Sequence, residues 1–422
     1  MYHISTPLVV ILDRIRTDPR AEARLNRMLD AIHADEVVET DDAGLARLLV
    51  ARGLVGTKSG RTGAYHMDRA PVLIFGTFRW DTEDEAESRL RTAYPELHAP
   101  LMLGTRPWTF RDHREFRRVN NYVCQSAWEV HVAHGCLHAC DYCHVPPYFP
   151  IMLDLEELAD RLKAFGETIP DQQLYKFDNY TDTITLEPEF GASQIMVDLF
   201  ANWTDRYLLL YTKSDNVDHL LDLDHRGKTL VSWSLGSETV AQFIEKRTPS
   251  MEERLVAMEK CEAAGYPVRA RISPICPVRN WRTEYADLIE QLLDRVNPDV
   301  ISVDVIGWMT AAQMVDAIDT ELFADAYRAE VDRQVREGIQ TRGKHLFPHE
   351  MRAEILRFVI EEIHRKRPNQ AVSLCNETAD MWRELGTLTA MTPAHYVCCC
   401  GPTSVPGNPL LSVKAPQPRE AS

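Results

Sequence analysis

The chain has 422 residues, with 47 Lys and Arg against 63 Asp and Glu, a formal net charge of −16. At 45% hydrophobic and 26% charged residues its composition is that of a globular protein, which excludes disorder over most of its length. The acidic balance argues against nucleic acid as a partner, since sequence-independent binding rests on Lys and Arg neutralising phosphates. No stretch approaches the roughly 18 consecutive apolar residues of a membrane-spanning helix.

Residues 1–115 read as an N-terminal α/β region. The start has no basic segment leading into a long apolar core, so no signal peptide is expected and a cytoplasmic location is. Pro7–Leu12 is a buried-strand run, and Ala21–His33 carries Leu25, Met28, Leu29 and Ile32 on one helical face. Glu36–Glu39 suggests a second strand, and Asp42–Val50 a helix that opens on Asp41 and Asp42. Lys58–Arg69 reads as a loop and Val72–Phe75 as a strand.

Residues 116–310 alternate strands with helices. The strands are Trp128–Ala133, Leu174–Phe177, Tyr207–Tyr211, Leu230–Ser234, Val268–Ile272 and Val300–Val305. The helices are Leu155–Phe165, Gln194–Trp203, Val217–Leu221, Ser237–Glu245, Met251–Ala264 and Glu284–Arg295. Six such units with right-handed connections predict a parallel sheet, open or closed partway into a barrel. In barrels of this kind chemistry gathers at the C-terminal strand ends. Residues 311–422 form a mostly helical region with one strand-like run, Ala371–Leu374, and a Pro-, Gly- and Ser-rich tail from Thr392.

Ten cysteines in a reducing compartment point to metal binding or catalysis before disulfides. Cys136, Cys140 and Cys143 follow the first barrel strand with C-x3-C-x2-C spacing, and Tyr142 precedes the last of them. Three thiolates in one loop suit three corners of a [4Fe–4S] cluster and leave the fourth iron open. Structural zinc prefers four protein ligands. Cys398, Cys399 and Cys400 form a second group, followed by Gly401 and Pro402, which permit a tight turn. Neighbouring residues of an extended chain point to opposite faces, so such a turn is required if all three are to share a site. They read as packed thiols, as a zinc or other soft-metal site, or, the favoured reading, as ligands of a second, auxiliary [4Fe–4S] cluster. Its fourth iron would be open or capped by substrate, His395 or another cysteine. Cys124 and Cys375 read as buried small hydrophobes, with extra cluster ligands as the alternative, and His131 and His134 as structural.

The first cysteine motif resembles that of the radical S-adenosylmethionine (SAM) superfamily. Within it, Lys213–Leu221, His225–Thr229, Trp233–Leu235, Thr248–Ser250 and Ala264–Pro267, in that order, are similar to the spore photoproduct lyase group. The resemblance runs to about residue 310. It implies a partial (β/α)6 barrel in which SAM chelates the open iron, and one electron, from flavodoxin or ferredoxin, releases a hydrogen-abstracting 5′-deoxyadenosyl radical. It also implies that Lys213 and Ser234 contact polar groups of SAM and that Tyr142 packs near the adenine. The segment Phe177–Asp182, including Asp178 and Asn179, would line the SAM site. The lyases need a hydrogen-donor cysteine just after the second strand, where this chain has Asn179. DNA lesion repair is therefore not expected, and a changed chemistry is.

Arg269 and Arg271 share a face of the fifth strand and are candidates to hold a phosphate or the SAM carboxylate. Asp304, near the end of the sixth strand, is a candidate for a substrate hydroxyl. In the superfamily an auxiliary cluster carries electrons or gives up a sulfide. The leading expectation is sulfur insertion into a nucleotide or nucleoside, replacing a furanose ring oxygen, as in thionucleoside antibiotic biosynthesis. The alternatives are epimerisation, dehydrogenation or C–C bond formation on a nucleotide sugar, and, from another class, a non-catalytic redox sensor.

Overall fold

Long apolar runs in this chain become strands covered on both faces. Val9–Leu12 is buried at every position, as is Val72–Gly76, the pattern of parallel strands between helices. The computed structural model describes residues 1–55, 71–80, 82, 84–97, 101–143, 145–146, 148–340 and 345–412. The loop expected at Lys58–Arg69 lies outside the described residues.

The first strands are β1 (Ile4–Thr6), β2 (Val9–Leu12), β3 (Ile32–Ala34), β4 (Val37–Thr40), β5 (Val72–Gly76) and β6 (Trp108–Arg111). Next come β7 (Ala127–Val130), β8 (Ala139–Cys140), β9 (Tyr148–Met152), β10 (Leu174–Phe177) and β11 (Tyr207–Thr212). The last are β12 (Thr229–Leu235), β13 (Glu245–Lys246), β14 (Val268–Ile275), β15 (Ile301–Val305) and β16 (Val372–Leu374). A four-stranded parallel sheet, ordered β4-β2-β5-β9, builds the N-terminal part. Its fourth strand comes from beyond residue 115: β9 is apolar and fully buried, and its Pro150 is tolerated because β9 lies at the sheet edge.

The larger sheet has the order β16-β15-β14-β12-β11-β10-β7-β6, parallel except for the antiparallel β6. All six predicted barrel strands are in it. The run at Ala371–Leu374 adds β16 as a seventh parallel strand. The edge strand β6 has no exposed-buried alternation to announce it. The two edges of this curved sheet meet where Val123 N–H donates to the Glu377 carbonyl (2.7 Å) and Tyr122 bridges Thr378. No helix among the described residues is long and apolar enough to cross a membrane.

The tail does not cover the mouth at the C-terminal strand ends. It closes the opposite end. The Pro402 carbonyl accepts from Gln173 and Leu174 N–H at the start of β10, and Val405 packs with Leu174, Leu209 and Leu230. Burying these apolar side chains at the otherwise open barrel floor holds the segment in place.

Candidate active site at the C-terminal strand ends

The loop after β7 is positioned by backbone bonds on both sides. Gly135 N–H donates to the Tyr180 carbonyl (3.0 Å), Asp141 N–H to Ile244 (2.9 Å) and Cys143 N–H to Cys140 (2.9 Å). Within it β8 pairs antiparallel with β13, so that Cys140 faces Glu245. His138 fills the loop's centre, its Nδ1 2.8 Å from the Arg247 carbonyl and its Nε2 3.2 Å from Asp182. Gly135 has to be glycine: a Cβ there would lie 2.7 Å from the Phe149 ring and 2.9 Å from its Cα. Gly135→Ala is expected to cost about 1–3 kcal/mol, the range for overpacking a filled site, read as a lower midpoint of anaerobic unfolding.

Cys136, Cys140 and Cys143 line one pocket of about 140 Å³. Burial pushes the Cys136 and Cys140 thiols up. Among the described residues no group is arranged around a single metal ion. The donors of a four-iron cluster sit on separate corners and are spread more widely, so three converging thiols fit a [4Fe–4S] cluster with one open iron.

A wider cavity of about 530 Å³ adjoins this pocket. Tyr142, Asn179, Lys213 and Ser234 line both. Lys213 Nζ lies 5.9 Å from the centre of the Tyr142 ring and donates to Glu245 (2.9 Å). Glu245 also takes Arg254 (2.7 Å) and a hydrogen bond from the Tyr142 hydroxyl. Burial alone would push the Glu245 carboxyl up, but Lys213 and Arg254 outweigh it and hold it at about 2. This ion cluster was not read from the sequence, because Lys213, Glu245 and Arg254 come from separate elements. On the far wall Ser273 Oγ donates to Asp304 (3.2 Å), and Arg271 lies over the Tyr211 ring, 4.8 Å from its centre.

Three sequence expectations are corrected. Asp178 does not line the cavity: it is fully buried, 2.7 Å from His131 Nδ1, and accepts from the Val132 and Tyr180 N–H groups. It thereby fixes the turn that presents Asn179. Arg269 shares a face with Arg271 but lies deeper. There it forms a bidentate pair with Asp299 (2.8 and 2.9 Å) and donates to the Cys399 and Ser404 carbonyls, and so is taken up by the tail. Cys399 is turned away from its two neighbours. Its thiol donates to the Ala270 carbonyl (3.2 Å) and its N–H to Ser302 Oγ (3.0 Å), while Gly401 N–H closes a turn onto the Cys398 carbonyl (3.4 Å) that brings Cys398 and Cys400 to the other side.

Cys398 and Cys400 do meet. Cys398 is hydrogen-bonded to Cys400, which holds the Cys400 thiol well below its usual range against the effect of burial, with help from Arg111, Lys176 and Arg271. Cys398 is pushed up by the same bond, by burial and by the charges of Cys400, Cys124 and Cys375. Cys124 and Cys375, expected to be buried hydrophobes, are half-buried and border this pair.

A family profile described as spore photoproduct lyase matches residues 118–375. The spore photoproduct lyase of Clostridium acetobutylicum is 22% identical over 262 residues, covering 59% of this chain and 77% of that protein. The Bacillus subtilis lyase is 27% identical over 185 residues, covering 42% of this chain and 54% of that protein. Among solved structures, a spore photoproduct lyase complexed with dinucleoside spore photoproduct aligns with a TM-score of 0.59 at 17% identity, over 87% of this chain and 98% of its own. A mutant lyase with bound AdoMet and dinucleoside spore photoproduct aligns with a TM-score of 0.58 at 17% identity, over 88% and 98%. At such identity the structures show a shared fold. The profile spans more than half of the sequence and includes the whole cysteine loop, so the chain belongs to the spore photoproduct lyase family, a branch of the radical SAM enzymes.

Proposed function

We propose that this radical SAM enzyme abstracts hydrogen from a nucleoside- or nucleotide-type small molecule held in the 530 Å³ cavity. The carrying observation is the shape of that cavity. Cys143 lies on one wall, Asp304 and Arg271 on another, and Tyr142, Tyr180 and Trp308 offer aromatic faces. Aromatic faces suit a base, and a guanidinium and a carboxylate suit a phosphate and a sugar hydroxyl. When bound, a [4Fe–4S] cluster on Cys136, Cys140 and Cys143 together with SAM supplies the hydrogen-abstracting radical. Lys213 and Ser234 orient the polar end of SAM, Tyr142 packs against its adenine, and Asn179 borders both groups. Flavodoxin or ferredoxin supplies the electron, in a cytoplasm that keeps the thiols reduced. Among the described residues lining the cavity, Cys143 is the one thiol, so no lining cysteine returns hydrogen to a substrate radical.

A second reading adds sulfur: a cluster held by the cysteines beside the cavity would supply the sulfur that stands in the product where the substrate has its ring oxygen. Its support is Arg271, which lines the cavity and donates to Cys375 Sγ (3.4 Å) beside Cys398 and Cys400. The test uses anaerobic enzyme, SAM, dithionite and sugar-deuterated uridine and adenosine nucleotides. The expected result is deuterium in 5′-deoxyadenosine from one of them, and a product heavier by the difference between sulfur and oxygen favours the second reading. Turnover of dinucleoside spore photoproduct, with no deuterium taken from any nucleotide, would refute the proposal and return the chain to lesion repair.

A further inference from the structure

Four cysteines from distant parts of the chain gather inside the barrel, below the cavity and above the tail that closes the floor. Cys124 lies on one side of the seam between the two edges of the sheet. Cys375 follows β16 on the other side. Cys398 and Cys400 rise from the tail. Cys399, between them, is committed to the Ala270 carbonyl and takes no part.

Two features of its surroundings suit a metal cluster. The first is a set of N–H donors aimed at the sulfurs. Arg271 and Asn376 donate to Cys375 Sγ (3.4 and 3.5 Å), and Arg111 lies 3.6 Å from Cys400 Sγ. Donors of this kind surround iron–sulfur clusters and tune them. The second is charge. Arg111, Lys176 and Arg271 are largely buried around the thiols, and the carboxylates that face them are Glu129, 3.0 Å from Arg111 and 3.5 Å from Lys176, and Asp304 near Arg271. Among the described residues, three cations against two carboxylates leave one positive charge for anionic sulfur to balance. A cluster ligated by four thiolates carries net negative charge and does so.

We infer that Cys124, Cys375, Cys398 and Cys400 are the ligands of a second, all-cysteine iron–sulfur cluster within the barrel. One zinc ion fits this group less well than a cluster. No group among the described residues is arranged for a single metal, and Cys398-x-Cys400 is tighter than the paired cysteines of zinc sites. The inference holds whichever substrate fills the cavity, and its test needs no substrate.

The test measures iron, acid-labile sulfide, zinc and Mössbauer spectra on anaerobically reconstituted full-length protein. Wild type is expected to hold about eight irons, and a Cys136→Ala/Cys140→Ala/Cys143→Ala variant about four, with a [4Fe–4S] spectrum. Adding Cys124→Ala and Cys375→Ala to that background removes the remaining iron, whereas adding Cys399→Ala leaves it. Circular dichroism checks folding. If the five-fold variant does not fold, Cys124→Ser alone in the triple background is expected to change the spectrum of the remaining cluster. The inference is overturned by a triple variant without iron, by stoichiometric zinc in its place, by equal iron loss with Cys399→Ala, or by an unchanged spectrum with Cys124→Ser.

Discussion

Replacing Glu245 by Gln is expected to destabilise the protein by about 3–5 kcal/mol, the usual loss when one partner of a buried ion pair is removed. Glu245 and Arg254 are both fully buried and lie 2.7 Å apart, and Lys213 reaches the same carboxylate at 2.9 Å. Neutralising Glu245 leaves Arg254 buried without its charge partner. The damage extends to the cluster loop, because β13, which carries Glu245, pairs with the short strand that carries Cys140. Anaerobic thermal unfolding measures the effect. A melting temperature within about 1 °C of wild type would refute it, since even one kcal/mol shifts the midpoint by more in most domains. A Glu245→Leu/Arg254→Met double variant is expected to lie nearer wild type, because it removes both fully buried charges and leaves only the partly exposed Lys213 without its carboxylate. The pH dependence has a definite sign. The folded carboxyl is held at about 2 against an ordinary 4.5, so its contribution is full above pH 4.5 and is lost as pH falls toward 2. The Gln variant lacks that part of the acid sensitivity.

Alanine at Cys136, Cys140 or Cys143 is expected to bring reductive formation of 5′-deoxyadenosine from SAM down to background. The three thiols line one pocket and supply three corners for the cluster, so each loss leaves an iron without its protein ligand. Iron per chain is expected to fall by about four in each variant. Cys399→Ala is the contrasting case: its thiol faces the Ala270 carbonyl, so both iron content and SAM cleavage are expected to stay at wild-type values. Product analysis after dithionite reduction reads the outcome. Undiminished 5′-deoxyadenosine from any of the three variants would remove that cysteine from the cluster, and none from wild type would favour a non-catalytic metal protein.

The first cysteine loop was legible without coordinates because its chemistry is local. Three thiols within eight residues after a strand are brought together by the backbone of one turn. The six barrel strands were legible for a similar reason, since burial on both faces writes continuous apolar runs between helical periods. Alternation likewise put Arg269 and Arg271 on one face. Their fates depended on depth: Arg269 meets Asp299 and the tail, while Arg271, two residues along β14, reaches the cavity. Asn179 was found through the resemblance to the lyases, which need a cysteine at its place, but the reason it faces the cavity is Asp178, buried against His131. The order of residues offered Cys124 and Cys375 as an alternative set of cluster ligands but did not place them beside Cys398 and Cys400. Those cysteines stand at three places along the chain, and closing the sheet edges and seating the tail on an apolar floor brings them together. Patterns over a few residues follow from backbone geometry, which the order of residues carries. Contacts across hundreds of residues follow from which surfaces pack together, and only the folded molecule decides that.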